Sequence, residues 1–127
     1  MKILIVDDDF RNVFALSALL ERRGAAVLVA ESGEQALAVL AEAPDVDLVL
    51  LDIMMPGMDG YATIRAIRLL AHFEALPIVA VTGKVMKGER ERCLEAGAND
   101  YVPKPVDTAE LLATVGPWLT RSAVLTP

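Results

Sequence analysis

Five short apolar runs, each followed by a segment with helical periodicity, constrain the fold of this 127-residue chain more than any other feature of its sequence. The runs are rich in Val, Ile and Leu and show little polar alternation, as expected for strands that are covered on both faces. This pattern predicts an α/β fold, in which right-handed crossovers place helices on both faces of a parallel sheet. The predicted strands are residues 2–7, 26–30, 47–52, 77–82 and 100–104.

Start and stop signals frame the helical segments between these strands. Asp9 is predicted to cap a first helix that begins near Phe10, and Gly24 is predicted to end it. Ser32, with Gln35 three residues later, forms a capping-box pattern at the start of the second helix. The apolar residues of the first three helices that we expect to face the core are Val13, Leu16, Leu19, Leu20, Ala36, Leu37, Leu40, Tyr61, Ile64, Ile67 and Ala71.

The last two helices follow the same rules. The fourth is predicted over residues 86–96 and ends near Gly97, and the fifth begins at Asp107, where Glu110 repeats the box pattern. Trp118 is predicted to anchor the edge of the core. The other apolar residues that the fifth helix is expected to bury are Leu111, Leu112, Val115 and Leu119.

Composition and charge limit the classes of protein to consider. A chain that is 54% hydrophobic and 24% charged, at this length, is expected to fold as one domain. A net charge of -6 argues against nucleic acid as the main partner, because phosphate backbones attract Lys and Arg. The single cysteine, Cys93, excludes an internal disulfide and is predicted to be a packed thiol in a reducing compartment. The lone histidine, His72, is predicted to lie on the surface.

Neither a membrane span nor a signal peptide is predicted. No apolar run approaches the roughly 18 residues that cross a bilayer. The N-terminal stretch MKILIV lacks a cleavage site and is predicted to be a strand. We therefore expect a cytoplasmic domain with no membrane partner.

Polar residues stand at the carboxyl ends of four of the five predicted strands. The carboxyl ends of parallel strands share one edge of a sheet, and α/β proteins bind their ligands at that edge. We therefore expect polar residues far apart in the sequence to converge there. They are Asp7 and Asp8 after the first strand, Asp52 in the third, Thr82 in the fourth and Lys104 in the fifth.

The chemistry of this set points to phosphoryl transfer. Three neighbouring carboxylates repel one another unless they are protonated or share a cation. Oxygen ligands of this kind suit Mg²⁺, which binds one or two carboxylates and retains several waters. An ionised Asp52 can then act as a nucleophile, while the Lys104 ammonium and the Thr82 hydroxyl can bind an incoming oxyanion. The set therefore predicts a site that forms an acyl phosphate on Asp52.

Each of these residues alone also fits an ordinary structural role. An aspartate after a strand often caps the next helix. Thr82 can be a turn residue, and Lys104 can be a solvated charge before a proline. Their expected convergence on one sheet edge favours the functional interpretation.

Four motifs occur together in a specific order and spacing: ILIVDDD (3–9), LLDIMMPGMDG (50–60), VAVTG (79–83) and YVPKP (101–105). In these motifs the chain resembles the receiver domain of two-component response regulators, over residues 2 to about 120. The resemblance implies a flavodoxin-like (βα)5 fold with a doubly wound, parallel, five-stranded sheet of order 2-1-3-4-5. It also implies a receiver domain over residues 1–120 and a C-terminal tail over residues 121–127.

The resemblance implies a role for each residue of the predicted site. Asp52 would accept a phosphoryl group from the histidine of a histidine kinase or of a histidine phosphotransfer domain. Asp8 would bind Mg²⁺ directly and Asp7 largely through water, with Asp52 and the backbone carbonyl of Met54 as further ligands. The chain would catalyse only its own phosphorylation and autodephosphorylation.

A conformational switch is also implied. Thr82 and Lys104 would grip the phosphoryl oxygens, and Tyr101 would turn inward as Thr82 moves toward the phosphate. The peptide bond between Lys104 and Pro105 would be cis. The fourth helix, the fifth strand and the fifth helix would then present an altered surface to a downstream protein effector, without direct contact to nucleic acid.

Two positions near the site are expected to set the lifetime of the acyl phosphate. Met54 and Lys84 lie two residues beyond Asp52 and Thr82, where side chains in this family influence hydrolysis. The side chain of Met54 cannot orient an attacking water as an amide can, so we expect slow dephosphorylation. Pro56-Gly57 is predicted to turn the chain away from Asp52 and to leave its carboxylate accessible.

Three other functions fit the fold class less well. An aspartate-nucleophile phosphatase would need a second Asp at the position of Met54, and a flavodoxin-type electron carrier would not place three carboxylates where a phosphate binds. A degenerate receiver that only binds partners would not retain the whole acidic set.

The stretch DDDFRNVFAL (7–16) is similar to receivers of hybrid histidine kinases, although the chain contains no kinase, ATP-binding or DNA-binding segment. Both a stand-alone regulator and part of a hybrid kinase therefore stay open.

Overall fold

In a computed structural model, the five apolar runs form the five parallel strands of a single sheet. The structure describes the backbone of residues 1–55, 59–83 and 87–124, and the side chains of these residues up to residue 118. The strand order is β2-β1-β3-β4-β5, which confirms the doubly wound (βα)5 sheet. Each strand begins and ends within one residue of its predicted bounds. The strands are β1 Lys2–Val6, β2 Ala26–Ala30, β3 Leu48–Asp52, β4 Ile78–Thr82 and β5 Asp100–Pro103.

The helices connecting these strands cover both faces of the sheet. They are α1 Phe10–Arg22, α2 Gly33–Glu42, α3 Gly60–Leu69, α4 Glu89–Ala96 and α5 Thr108–Val124. One apolar cluster lies between the sheet and α2, α3 and α4, and a second lies between the sheet and α1 and α5. Strand β1 shows why the strands are apolar throughout, because Leu4 faces the first cluster while Ile3 and Ile5 face the second.

Side-chain caps fix the starts of three helices as the sequence predicts. The carboxylate of Asp9 accepts a hydrogen bond from Arg11 N at 2.9 Å, and the hydroxyl of Ser32 accepts one from Gln35 N at 3.1 Å. The carboxylate of Asp107 accepts one from Glu110 N at 3.1 Å. The side chain of Gln35 reaches back to the N–H of residue 31 rather than to that of its cap, so the box is one residue wider than predicted.

The apolar surface of α3 ends earlier than predicted. Ala71 was expected to be buried, but it is exposed because α3 ends at Leu69. His72 follows with a left-handed backbone angle, φ 78°, and the chain turns there toward β4. The same residue is exposed, as predicted.

The start of α4 is also shifted. The helix was predicted from residue 86, but it begins at Glu89, because Gly88 adopts φ 88° and separates it from the preceding residues. Its end at Gly97 is as predicted, and Cys93 is fully buried as a packed thiol. In α5 the side chains of Leu111 and Val115 are buried as predicted, whereas Leu112 is half-buried; Leu119 lies outside the described side chains. Trp118 packs at the edge of the second cluster, as predicted.

The C-terminal helix runs to Val124, four residues past the predicted boundary at residue 120. The division into a receiver domain over residues 1–120 and a tail over residues 121–127 stays a prediction. Within the described part of the chain, no helix combines the length and the apolar character that crossing a membrane requires.

Candidate functional site

The three predicted carboxylates meet at the carboxyl edge of the sheet. Strands β1 and β3 are neighbours, with Val6 beside Leu51, so that Asp7 and Asp8 emerge next to Asp52. Oxygen atoms of the three carboxylates all lie within 4.8 Å of one another. Asp7 and Asp52 are each 3% exposed, whereas Asp8 is exposed to solvent.

The two oxygens of Asp52 have different partners. Its Oδ1 accepts a hydrogen bond from the backbone N–H of Met54 at 2.9 Å. Its Oδ2 lies 3.1 Å from the ammonium nitrogen of Lys104. A backbone group and a charged side chain thus hold the two oxygens of the carboxylate and fix its orientation. The side chain of Met54 is 54% exposed and points no polar atom at this carboxylate.

Strands β4 and β5 bring the other predicted residues to the same edge. Thr82 is fully buried at the end of β4 and lies beside Pro103 in the register of β5. Its carbonyl accepts a hydrogen bond from the backbone N–H of Lys104 at 2.8 Å, which ties the two residues together. The peptide bond between Lys104 and Pro105 is cis, as the resemblance implies. Tyr101 is half-buried and packs against the cluster under α4.

The acidic edge holds an excess of negative charge. Burial, together with the charge of Asp52, raises the pKa of the Asp7 carboxyl, although the N–H of Asp9, the Lys104 ammonium and the side chain of Asn12 act in the opposite direction. Asp7 Oδ1 accepts the hydrogen bond from Asp9 N at 2.8 Å. The pKa of Asp7 is therefore raised chiefly because burial removes water from its carboxylate, and the negative charge of Asp52 adds to this effect.

These residues fit a hard divalent cation. The site offers carboxylate oxygens from two adjacent strands, close enough to share one ion, and their mutual repulsion would be relieved by it. Asp8 is exposed and so can exchange solvent for a ligand. Among the described residues, no other group of three acidic, cysteine or histidine side chains has this spacing.

One polar residue at the site was not predicted. Asn12, in the first turn of α1, favours the ionised form of Asp7 and so lowers its pKa, and with Asp7 it lines a cavity of about 300 Å³ between α1 and the segment after β5. Leu16, one helical turn further on, lines the same cavity. The sequence held a signal for this, because Asn12 lies four residues before buried Leu16 and therefore on the same face of the helix. The predicted Pro56-Gly57 turn and Lys84 lie outside the described residues.

Comparison with known protein families and sequences gives consistent matches. A family model for the response regulator receiver domain matches residues 3–116. Transcriptional regulatory protein CpxR of Klebsiella pneumoniae is 43% identical over 121 residues, which are 95% of this chain and 50% of CpxR. Protein PilH of Pseudomonas aeruginosa is 40% identical over 114 residues, which are 90% of this chain and 93% of PilH. The chain thus spans about half the length of the CpxR relatives that it matches.

A solved structure agrees with these matches in fold. The receiver domain of sensor histidine kinase PA1611 from Pseudomonas aeruginosa PAO1 superposes with a TM-score of 0.84 at 37% sequence identity. The match covers 94% of this chain and 97% of that domain. A magnesium ion is coordinated in the active site cleft of that structure.

Proposed function

The chain belongs to the response regulator receiver domain family. On this premise we propose that Asp52 accepts a phosphoryl group from a histidine of a donor protein. The donor is either a histidine kinase or a histidine phosphotransfer domain. The observation that carries the proposal is the position of Asp52. One of its oxygens is held by Met54 N and the other is paired with Lys104, at the edge of the sheet where two further carboxylates meet. The carboxylate is thereby held in one orientation beside the two other acids.

The transfer exchanges one bond to phosphorus for another. An oxygen of Asp52 forms a bond to phosphorus while the bond between phosphorus and the donor imidazole nitrogen breaks, and that nitrogen leaves with the bonding pair and is protonated. Lys104, which pairs with Asp52 before the reaction, moves its charge to the phosphoryl oxygens afterwards. Thr82, at the end of the adjacent strand, supplies a hydroxyl to the same oxygens.

Mg²⁺ is the proposed cofactor. Asp7, Asp8 and Asp52 would hold it, with the backbone carbonyl of Met54 as a further ligand. The bound ion would supply positive charge that offsets both the carboxylates and the incoming phosphoryl oxygens. The magnesium ion in the related PA1611 receiver domain supports this assignment.

The donor would approach over α1. Phe10 and Phe14 are 78% and 69% exposed, and their ring centroids lie 6.5 Å apart. Phe10 comes directly after the three aspartates that follow β1. Exposed aromatic pairs are a common anchor in protein interfaces. If both are replaced by serine, transfer from a protein donor should slow at least tenfold while transfer from acetyl phosphate is unchanged. If the wild-type chain and the double serine variant accept the phosphoryl group from the protein donor at the same rate, this docking surface is refuted.

The phosphorylated state would be transmitted to α4, β5 and α5, whose altered surface binds a downstream protein effector. Phosphorylation adds charge and acceptor oxygens beside Thr82 and Lys104 and draws both toward Asp52. Tyr101 follows Thr82 inward, because the two residues lie on neighbouring strands. We propose no enzymatic activity other than the chain's own phosphorylation and autodephosphorylation, and no direct contact to nucleic acid. The cytoplasmic location and the absence of a membrane partner stay predictions.

The proposal is tested by adding beryllofluoride, a phosphoryl mimic, together with Mg²⁺, and recording the NMR spectrum. Signals from Tyr101 and α4 should shift in the wild-type chain and stay unchanged in Asp52→Ala. The matched control is Glu42→Ala, which removes an exposed carboxylate at the end of α2 and should leave the response intact. An unchanged wild-type spectrum, or an identical response in Asp52→Ala, would refute the phosphoacceptor assignment.

A further inference from the structure

Glu89 is a buried acid that the phosphoacceptor site does not use. It is 3% exposed and is the first residue of α4. An ionised carboxylate loses its hydration on burial, so its position requires compensating contacts. Among the described residues, the other buried polar side chains either belong to the acidic edge or, for Thr63, donate to a backbone carbonyl; they are Asp7, Asp52, Thr63 and Thr82.

The contacts of Glu89 come from α3 and from its own helix. The phenol O–H of Tyr61, in the first turn of α3, donates a hydrogen bond to Glu89 Oε1. The thiol of Cys93, one turn along α4, lies 3.7 Å from the same oxygen. The guanidinium of Arg92 lies 4.6 Å from the centre of the Tyr61 ring and adds a cation–π contact between the two helices. Glu89 Oε2 has no hydrogen-bond partner within the described part of the molecule.

The Tyr61 phenol remains a donor at neutral pH. Burial and the adjacent Glu89 carboxylate raise the pKa of Tyr61 to about 12. A neutral phenol facing a carboxylate makes a charge-assisted hydrogen bond, which is stronger than a bond between two neutral groups.

This contact holds the end of α4 that has no side-chain cap. Helices α1, α2 and α3 each begin with a residue whose side chain accepts a hydrogen bond from the first turn, but α4 begins after Gly88, which has no side chain to do so. The other end of α4 is tied to α3 by Arg68, which donates to the carbonyl of Gly97 at 2.9 and 2.7 Å. Helix α4 is therefore attached to α3 by side chains at both ends.

The same part of α3 is packed against the backbone of the phosphoacceptor. Gly60, the residue before Tyr61, approaches β3 so closely that a Cβ atom on it would lie 2.5 Å from Ile53 Cα and 3.1 Å from the carbonyl oxygen of Asp52. Gly60 N also donates to the carbonyl of Ile53 at 3.3 Å. These backbone contacts provide a direct physical link between the segment around Asp52 and the first turn of α3, which carries Tyr61.

We infer that the hydrogen bond between Tyr61 and Glu89 is a latch that holds the start of α4 in its unphosphorylated position and couples that position to the loop after Asp52. The inference rests on the proposed function, because it gives phosphorylation of Asp52 a second route to α4 beside the movement of Thr82 and Tyr101. Phosphorylation of Asp52 would, on this inference, weaken the hydrogen bond between Tyr61 and Glu89 and allow the start of α4 to change position.

The latch is tested by amide hydrogen exchange in α4, in the 127-residue chain carrying Tyr61→Phe, Glu89→Ala or both substitutions. Tyr61→Phe keeps the ring and removes the donor, so exchange at residues 89–96 should become at least about tenfold faster while exchange in α2 is unchanged. The double variant should exchange no faster than Glu89→Ala, because the two residues share one interaction. The matched control is Glu91→Gln, which removes an exposed charge from the same turn of α4 and should exchange as wild type does.

A second comparison adds beryllofluoride and Mg²⁺. The wild-type chain should show faster exchange at the start of α4, and Tyr61→Phe should show a smaller change because its latch is already open. Exchange in Tyr61→Phe equal to that in Glu91→Gln, without beryllofluoride, would overturn the latch. An equal beryllofluoride response in Tyr61→Phe and wild type would overturn the coupling. If wild type does not respond at all, the phosphoacceptor proposal and the coupling both fail, and the first comparison alone decides whether the latch holds α4.

Discussion

The two edges of the sheet differ in how far their charged side chains are paired with groups of opposite polarity. At the amino edge, Arg68 donates five hydrogen bonds, to the carbonyls of Phe73, Leu76 and Gly97 and to the side chain of Asn99, at distances of 2.6 to 3.0 Å. At the carboxyl edge, three carboxylates lie together with one lysine beside them.

The difference separates stability from function. The Arg68 guanidinium is matched by acceptors from the loops before β4 and β5, so it holds those loops and the end of α3 in place. The carboxyl edge is electrostatically incomplete, and its excess negative charge is available to a cation and a phosphoryl group. Substitutions at the two edges should therefore change stability in opposite directions.

The largest expected effect is at the amino edge. Arg68→Ala should lower the free energy of unfolding by about 2 to 3 kcal/mol, because buried carbonyls lose a charged donor. Chemical denaturation would measure the change, with Arg65→Ala, an exposed arginine of the same helix, as the control. If Arg68→Ala is no less stable than Arg65→Ala, the hydrogen bonds of Arg68 do not contribute to the stability of the fold. The folded fraction should still be phosphorylated.

The opposite result is expected for Asp7→Asn. The pKa of Asp7 is raised by burial and by the charge of Asp52, so the folded chain binds this proton more tightly than the unfolded chain does. Its ionisation therefore disfavours folding at neutral pH and has no effect below the ordinary value of 3.8, where both states are protonated. With a chelator present, Asp7→Asn should therefore be more stable than wild type at pH 7.

Two measurements sharpen this prediction. The stability difference between Asp7→Asn and wild type should shrink as the pH falls toward 3.8. Saturating Mg²⁺ should stabilise wild type more than Asp7→Asn, because the variant lacks one of the proposed ligands. A destabilised Asp7→Asn in metal-free buffer would mean that the carboxyl edge is as well compensated as the amino edge.

The smallest expected effect concerns the lifetime of the signal. Met54 contributes only its backbone N–H to Asp52, and its exposed side chain cannot orient water. Met54→Asn should shorten the lifetime of phosphorylated Asp52 by roughly fivefold, a modest change because an amide can position the water but not take its proton. Phosphate release after removal of the donor would measure this. An unchanged lifetime would show that Met54 does not control hydrolysis.

The sequence predicts the strands and the carboxyl edge well because both depend on local pattern. A parallel strand that is covered on both faces is apolar along its length, so Asp52 stands out at the end of β3. The caps Asp9 and Ser32 were equally visible, because a cap depends on residues two or three positions away.

The features that the sequence did not predict depend on which segments meet in space. The Arg68 clamp needs carbonyls from two loops that follow α3 and α4, and no local pattern reports their positions. The buried acid Glu89 looked like one charge among several in the run GERER, because its burial is decided by Tyr61 of another helix. The early end of α3, which leaves Ala71 exposed, is followed by the left-handed backbone of His72, which the sequence does not indicate.

The central claim is that Asp52 is the phosphoacceptor, and intact-protein mass spectrometry tests it most directly. The chain is incubated with acetyl phosphate and Mg²⁺, alongside Asp52→Asn and the exposed-site control Asp45→Asn. Wild type and Asp45→Asn should each gain the mass of one phosphoryl group, and Asp52→Asn should gain none while remaining folded. A phosphoryl group on Asp52→Asn at the wild-type level, or none on wild type, would contradict the assignment.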